Sequence, residues 1–396
     1  MTDNSALWNF SAVINGNDVD VIASSVQLTD TSSDPQAKDA ARILAILGNG
    51  SNADMNTVIA ALQGLGSSAE TTRAVKQTLP ILTGELSQAT SNAMRGINRI
   101  VQSRQESNKG LSAGDEILTS GHVWAKSFVG KTRQSEHKGV SGYDATSSGL
   151  VLGFDKEVDE KHRLGVALAY AYSDIEGAML ATPQAAQVST VQLIGYGSRN
   201  LDAVTELNFQ LDASYHWNQG DRTINFGGLN RVAQASYGSY SGHLGLGLGR
   251  IYAVSETTQL VPSLRSDFSA SYNQAYHESG AGALNLHVEA SDSSEWIFSV
   301  DSKLNHKVDA ATTLAVNLGA GYDFLADSGM VSAAYASAPS AAFHTPGLET
   351  PPWLGRGGLG LTYRHESGME INARYDAETR NDYVSQMASM KVRWAF

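Results

Sequence analysis

The sequence predicts an all-β transmembrane barrel of twelve antiparallel strands, preceded by a mostly helical linker region and a short β segment. Apolar and polar residues alternate in strand after strand from about residue 121 to the C-terminus. The chain has no run of about 20 apolar residues, so it cannot cross a membrane as a helix. The stretch from Tyr383 onward alternates between a polar, basic face and an apolar face formed by Ala388, Met390, Val392, Trp394 and Phe396. Two different solvents on the two faces of a sheet would explain this pattern.

The composition limits the class of protein. The chain has 396 residues, 38 glycines, 8 prolines, no cysteine and a formal net charge of -12. Without cysteine there are no disulfides, thiolate metal ligands or cysteine nucleophiles, which suits a chain that crosses an oxidising periplasm before it folds. The negative charge argues against nucleic-acid binding. The first residues have neither the basic nor the apolar region of a secretion signal, so we expect a C-terminal piece of a longer precursor.

The part before the barrel divides into three predicted segments. Residues 1–30 alternate loosely around the turn Asn15-Gly16-Asn17-Asp18 and predict two or three strands. Residues 31–82 are rich in alanine and leucine, and their apolar stripes predict a connector of three short helices. Residues 83–110 contain a longer helix, roughly Thr83 to Ser107, and the barrel then occupies residues 111–396.

The longer helix is both amphipathic and basic. Its apolar residues recur at three- and four-residue spacing, while Arg95, Arg99 and Arg104 project from another side. One interpretation is an ordinary surface helix packed on its neighbours. The other is a helix that threads the pore, with these arginines meeting charges of the wall.

The predicted strands differ in what their two faces carry. Shared among twelve strands, residues 121–396 give about 23 residues for each strand with its connection, which suits membrane strands. Tyrosines and tryptophans stand at the ends of apolar faces, as an interfacial girdle requires, and the other face alternates tiny and charged residues, as a narrow lumen requires. A soluble barrel or sandwich would instead point the large apolar residues inward. The predicted lumen wall includes Glu206, Asp212, Asp267, Asp301, Asp323, Arg374 and Asp376.

Four stretches carry a family resemblance. They are Gly121-His122-Val123-Trp124-Ala125-Lys126, Ser148-Gly149-Leu150-Val151-Leu152-Gly153-Phe154-Asp155, the segment from Pro351 to Leu361, and the terminal Lys391-Val392-Arg393-Trp394-Ala395-Phe396. Each is weak alone, but their order and coverage make the set specific. Together they resemble the translocator domain of autotransporters, the type V secretion proteins of Gram-negative bacteria.

The resemblance implies both a structure and a function. It implies a twelve-stranded outer-membrane barrel, a helix threading its pore, and export and surface anchoring of an upstream passenger. Residues 1–30 then resemble the last rungs of a β-helical passenger. Implied partners are outer-membrane lipid, the barrel-assembly machinery and periplasmic chaperones, with the chain itself a monomer. Trp394 and Phe396 end the apolar face of the last strand and are the predicted assembly signal.

An outer-membrane hydrolase and a simple porin are the rival functions. The sequence has no Gly-x-Ser-x-Gly, since Tyr240 stands where that motif needs serine. His216 and Asp212 would share one lumen face, but a hydrogen-bond network in the wall explains them more simply. Autotransporters that cut themselves inside the barrel carry an Asn-Asn pair in the linker helix. Here the residue after Asn92, Asn98 and Asn108 is in no case a second asparagine. We therefore expect no catalytic residue, no metal, no cofactor and no enzyme.

Overall fold

The computed structural model describes most of the chain. The described residues are 5–26, 28, 34–48, 50–81, 85–106, 122–178, 184–366 and 369–393. Trp394 and Phe396, the predicted assembly signal, lie outside them. Among the described residues, no helix is long and apolar enough to cross a membrane.

Among the residues that the structure describes, two strands and four helices precede the barrel. They are β1 (Trp8–Asn15), β2 (Asp18–Ser25), α1 (Lys38–Leu47), α2 (Ala53–Gln63), α3 (Ser68–Lys76) and α4 (Glu85–Glu106). The starts of α2 and α3 are fixed by Asn52 and Ser67, whose side-chain oxygens accept the backbone N–H of Met55 and Glu70.

The rest of the described chain is almost entirely strand. The strands are β3 (His122–Gln134), β4 (Tyr143–Glu157), β5 (His162–Gly177), β6 (Gln184–Asn200), β7 (Thr205–Phe226), β8 (Leu229–Arg250), β9 (Tyr252–Ala253), β10 (Thr258–Asn273), β11 (Tyr276–His277), β12 (Leu286–Val288), β13 (Ser291–Lys307), β14 (Thr312–Asp323), β15 (Met330–Tyr335), β16 (Ala342–Pro346), β17 (Trp353–Arg364), β18 (Glu370–Arg380) and β19 (Tyr383–Arg393). A short 3-10 helix, Gly282–Leu284, lies between β11 and β12.

The long strands close into one antiparallel barrel. Following the hydrogen bonds from β3, the order is β3-β4-β5-β6-β7-β8-β10-β13-β14-β17-β18-β19, and the two-residue β9 adds to β10. β19 pairs with β3 from Tyr383 opposite Gln134 to Val392 opposite Ala125, which closes the sheet at a seam between the two ends of the barrel sequence. The predicted closed barrel of 12 antiparallel strands is confirmed.

The wall places its large apolar side chains on the outer face, which is the reverse of a soluble protein. On β8, Leu244, Leu246 and Leu248 are 48%, 49% and 41% exposed on the outer face. On β5, Ala167, Ala169 and Ala171 are buried on the inner face, while the larger residues that alternate with them point outward. A lipid-facing exterior and a filled interior account for both observations.

The two ends of the barrel differ in their connections. At one end the turns are short, and Asp159, Asp202 and Asp309 each accept two backbone N–H groups of their own turn. These hydrogen bonds lower the pKa of all three carboxyl groups; for Asp159 the side-chain bond with His162 is the largest cause. The other end carries the long connections 274–290 and 324–352. In bacterial membrane barrels short turns face the periplasm, so we call the two ends periplasmic and outer.

A second folded layer covers the outer end. The connector helices α1, α2 and α3 share one apolar core with the outer ends of β5 to β8 and with both long connections. The core joins Leu44 and Leu62 of the connector to Ile224 of β7, Leu284 and Phe343, and all five are at most 1% exposed. We call this unit, residues 34–81 with connections 274–290 and 324–352, the outer cap.

Ion pairs and hydrogen bonds tie the connector to the barrel at several points of the rim. The buried pair Arg222–Glu278 also bonds to the Gln77 carbonyl oxygen, which accepts from Arg222 at 2.7 Å. Arg231 of β8 donates to Asp54 at 2.8 Å. The connector therefore docks on the barrel rather than running freely above it.

The hairpin β1–β2 projects from this layer. Its strands pair antiparallel in a single register around Gly16, which has a φ of 64°. Both faces are exposed, and Ile14 is 80% and Val19 64% exposed. Successive rungs of a β-helix pair in parallel, so these described residues form a hairpin rather than two such rungs.

A helix held in the barrel lumen

Helix α4 lies inside the barrel. Its side chains bond to residues on strands spread round the closed sheet, namely Asp155 on β4, Gly197 on β6, Gln210 on β7, Glu295 on β13 and Glu378 on β18. Only an element in the lumen can reach all of these inward-facing positions. The structure thus favours the pore helix of the two interpretations that the sequence left open.

The apolar stripe of α4 packs into a groove on one side of the wall. Ile97, Ile100 and Val101 are at most 1% exposed, and they belong to one cluster with residues of β3 to β6. The wall residues of this groove are Trp124, Phe128, Val151, Ala167, Ala169, Ala171, Ile194 and Tyr196. The small alanines of β5 let the helix approach closely, and on the β19 side Met387 packs against Gly96, so a side chain added at Gly96 would displace it.

Amides on α4 fix its position along the lumen. Asn92 donates to the Tyr143 hydroxyl at 2.8 Å. The carbonyl oxygen of the Asn98 side chain accepts from Gln192 at 2.9 Å and from Gln210 at 3.0 Å, and all three side chains are buried. Because these hydrogen bonds are buried and require a defined geometry, they specify one register of the helix against the wall.

A third amide bonds near the periplasmic end. The Gln105 side chain donates to the backbone carbonyl oxygens of Gly197 at 2.9 Å and of Phe209 at 2.8 Å. Positions 98 and 105 are seven residues, or about two helical turns, apart and share one face of the helix, whereas position 92 is turned about 120° away from that face.

The three predicted pore-helix arginines all bond to wall carboxylates. Arg104 makes two hydrogen bonds of 2.8 Å to Asp155, which is fully buried and also accepts from the Tyr196 hydroxyl. Arg95 donates to both oxygens of Glu295, at 2.7 and 2.6 Å. Arg99 pairs with Glu378. Hydrogen-bonded pairs of guanidinium and carboxylate groups in a confined space are stronger than ion pairs exposed to water.

These three partners were missed by the sequence reading. All seven predicted wall residues lie on barrel strands with their side chains buried or partly buried, but mostly they bond to neighbours in the wall. Asp301 bonds to Arg356, Asp323 to Arg380, Asp376 to Arg374, and Asp212 and Asp267 to His243. Glu206 lines a cavity beside α4. We expected the carboxylates of this set that are not paired within the wall to bind the α4 arginines. The carboxylates that bind them are instead Asp155, Glu295 and Glu378.

The histidine and carboxylate considered for hydrolysis are not a pair. His216 bonds to Thr190 at 2.8 Å and to Ser241 at 2.9 Å, while Asp212 bonds to His243 at 2.7 Å. These contacts form a hydrogen-bond network of the wall. Within the described ranges, no group of three or more His, Cys, Asp or Glu residues could hold a metal ion.

Comparison with known proteins decides the family. Residues 123–376 match the model of the autotransporter beta-domain, which is more than half of the chain. The chain belongs to this family. Its fold is similar to the translocator domain of the autotransporter NalP from Neisseria meningitidis, with a TM-score of 0.63, 15% sequence identity, and coverage of 80% of this chain and 99% of that chain.

Two curated relatives are much longer than this autotransporter domain. Outer membrane protein A of Rickettsia conorii is 27% identical over 320 residues, covering 77% of this chain and 16% of the relative. The extracellular serine protease of Serratia marcescens is 23% identical over 223 residues, covering 56% of this chain and 21% of the relative. This chain therefore spans less than a quarter of either relative. It is an outer-membrane translocator domain of a Gram-negative bacterium, as its family and fold show.

Proposed function

We propose that this translocator exports a passenger joined to its N-terminal side and holds that passenger at the cell surface. In this proposal residues 1–30 end the passenger, residues 31–82 connect it to the barrel, and residues 83–110 stay in the pore of the barrel formed by residues 111–396. The pore helix then works as a plug, with Arg95, Arg99 and Arg104 as its charged anchors.

The direction of α4 carries this proposal. Near its start, Ser87 accepts from Asn273 and Gln88 donates to Thr350, and both partners belong to the outer end of the barrel. Near its end, Arg104 bonds to Asp155, close to a short periplasmic turn. The segment before α4 is therefore on the outer side, and β3, the first described strand after it, begins at the periplasmic end. A chain made inside the cell reaches this arrangement when its N-terminal side has passed through the membrane.

The assembly partners and the absence of catalysis are part of the proposal. Barrel-assembly machinery and periplasmic chaperones would deliver the chain to the membrane, where it would act as a monomer in lipid. In this proposal the domain itself is not an enzyme, and His216 and Asp212 serve the hydrogen-bond network of the wall. Any activity of the whole protein would belong to the passenger, and the curated relative named a serine protease illustrates one kind.

Epitope accessibility on whole cells tests the direction of the chain. An epitope inserted after Gly16, a turn with open space around it, should bind antibody on intact cells. The matched control has the same epitope after Glu160, in a periplasmic turn, and should bind only after the outer membrane is permeabilised. An epitope at Gly16 that stays hidden on intact cells, in a barrel that is fully assembled, would contradict export.

Planar-bilayer conductance tests the plug. A chain that starts at Leu111 should conduct far more than the intact chain, because an open twelve-stranded barrel is wide enough to admit a helix of about 10 Å diameter. Equal conductance of the two would mean that α4 lies outside the pore in the membrane.

A further inference from the structure

Helix α4 does not fill the lumen evenly. Its apolar stripe is seated in the groove of β3 to β6, and on the opposite side three cavities lie between the helix and the wall. The largest is nearest the periplasm and has about 960 Å³ of space free of protein atoms, counted with the solvent at its opening. Val204 and Ile251, next to the periplasmic turns, line its lower end.

The three cavities adjoin. The periplasmic and middle cavities share the lining residues Arg99, Gln102 and Arg356. The middle and outer cavities share Asn98, His243 and Ser269. The three cavities therefore lie in a row along α4, and we call this row the crevice.

A single strand shows how far this crevice extends. β10 lines the periplasmic cavity with Val261, the middle cavity with Arg265 and Asp267, and the outer cavity with Asn273. Twelve residue steps along a strand cover about 40 Å, which at the usual tilt of barrel strands is about the thickness of the hydrocarbon core. Most of the residues that line the crevice carry a hydroxyl, amide or charged group, so the space can hold water and ions.

The outer cap includes the two long connections that join the strands on the crevice side of the wall. The crevice side of the wall includes β10, β13, β14 and β17, and the connections above these strands are 274–290 and 324–352. Both connections are built into the core of the outer cap, through Leu284 and Leu286 in one and Tyr335 and Phe343 in the other. Their positions above the crevice therefore depend on docking of α1 to α3.

We infer that α4 leaves a crevice that small inorganic ions can cross, and that the docked outer cap is the seal that stops them. This rests on the proposed function, because it requires α4 to remain in the lumen after export. The plug then has two parts in series. Helix α4 excludes large solutes along the whole lumen, and the outer cap closes the remaining path at its outer end.

Two isoleucines of α1 provide a matched test in the full chain. Ile43 is 3% exposed in the core of the cap, whereas Ile46 is 58% exposed on the same helix. Ile43→Asp buries a charge and should undock the cap, which raises the KCl conductance in planar bilayers more than about tenfold over the intact chain. Ile46→Asp should leave the conductance unchanged. Release of the cap is checked by protease sensitivity of residues 34–81, and assembly of the barrel by its heat-modifiable migration.

Two further substitutions test whether the ions pass through the crevice. Ser269 lines the crevice, and its neighbour Phe268 is on the lipid face. Added to Ile43→Asp, Ser269→Trp should abolish the new conductance and Phe268→Trp should leave it in place. The conductance of Ile43→Asp should also stay well below that of the chain starting at Leu111.

The outcomes separate this inference from the proposed plug. A released cap with no rise in conductance would overturn the inference while leaving α4 as the whole plug. An intact chain that conducts as well as Ile43→Asp would also overturn it, because the cap would then seal nothing. If Ile43→Asp prevents barrel assembly, Val58→Asp in α2, with exposed Ala60→Asp as control, gives the same comparison. Equal conductance of the intact chain and the chain starting at Leu111 would instead reject the plug itself.

Discussion

The barrel and the outer cap bury opposite kinds of side chain, although one chain builds both. In the barrel, Leu246 is 49% exposed while Gln192 and Gln210 are fully buried against α4. In the cap, Leu44 and Phe343 are fully buried. The barrel meets lipid outside and encloses polar groups, whereas the cap meets water outside and encloses apolar ones.

This difference shows that two kinds of interaction hold the N-terminal part in place. Helix α4 is anchored in the lumen by amides and paired charges, beside an apolar groove on one side only. The cap is held mainly by apolar burial, together with the buried pair Arg222–Glu278 and a few partly exposed ion pairs. The two anchors should therefore respond differently to the same substitutions.

The largest expected effect is on the cap. Phe343→Ala should cost about 3 to 5 kcal/mol of the stability of the cap, because it leaves a cavity in the buried core. The barrel should assemble normally, since Phe343 belongs to β16 and β16 is outside the barrel sheet. Proteolysis of residues 34–81 on whole cells measures the loss. Phe268→Ala on the lipid face is the control and should leave the cap resistant; a cap equally resistant in both variants would contradict this division.

A charged residue introduced on the outer surface should distinguish the lipid-facing barrel from the water-facing cap. Leu246→Arg should cost about 2 to 4 kcal/mol near the bilayer midplane, because it places a charge in lipid. Ile46→Arg, on the water-facing surface of the cap, should change stability by no more than about 0.5 kcal/mol. Urea unfolding of the barrel in vesicles measures the first, and protease resistance of the cap measures the second. If both variants behaved like the parent, the outer face of β8 would not be in lipid.

The polar anchor of α4 should show a smaller effect. Asn98→Ala removes the shared acceptor of Gln192 and Gln210, so the buried Gln192 amide loses this partner while Gln210 keeps its bond to Asp212, at a cost of about 1 to 3 kcal/mol. We expect α4 to leave its position more often, seen as more frequent large openings in planar bilayers. Ser91→Ala on the cavity side of the helix is the control. Identical opening frequencies would show that the amides do not hold the helix.

The smallest expected effect is on the docking of the cap at low pH. The hydrogen bond from Arg231, followed by that from the Ala283 N–H, lowers the pKa of Asp54 below its ordinary value. A carboxyl group with a lowered pKa in the folded state stabilises it above about pH 4, and this contribution is lost as the pH falls through the lowered pKa. Protease sensitivity of the cap should therefore rise below about pH 4. Asp54→Asn should weaken this dependence, and an unchanged profile would exclude Asp54 as a contributor.

The sequence predicts the barrel well because each strand meets two solvents. Alternation along a strand needs only local information, and the predicted helix from about Thr83 to Ser107 matches α4 closely for the same reason. The partners of its arginines could not be predicted from local patterns. Glu295 and Glu378 lie on strands brought beside α4 only by closing the barrel, and position around the lumen leaves no periodic signal.

The outer cap is the part of the fold that sequence reasoning missed. Three connector helices were predicted, but not their docking. The apolar residues of the connections, such as Leu284 and Phe343, occur in short segments without a helix or strand period. They share one core with Leu44, which joins parts of the chain more than two hundred residues apart. Such a core can be recognised only once the barrel has brought its outer loops together.

The seam between β3 and β19 sets the order in which the wall can be completed. The hydroxyls of Thr132 and Ser385 bond across it at 3.0 Å, although these residues are 253 positions apart. Joining such distant strands has a high loop-closure entropy unless the strands between them are already in place. Until then the sheet has two edges with unpaired backbone groups, which lipid cannot solvate. On this argument closure comes after the other strands have paired, and a chain that stalls before it keeps two open edges rather than forming a smaller pore.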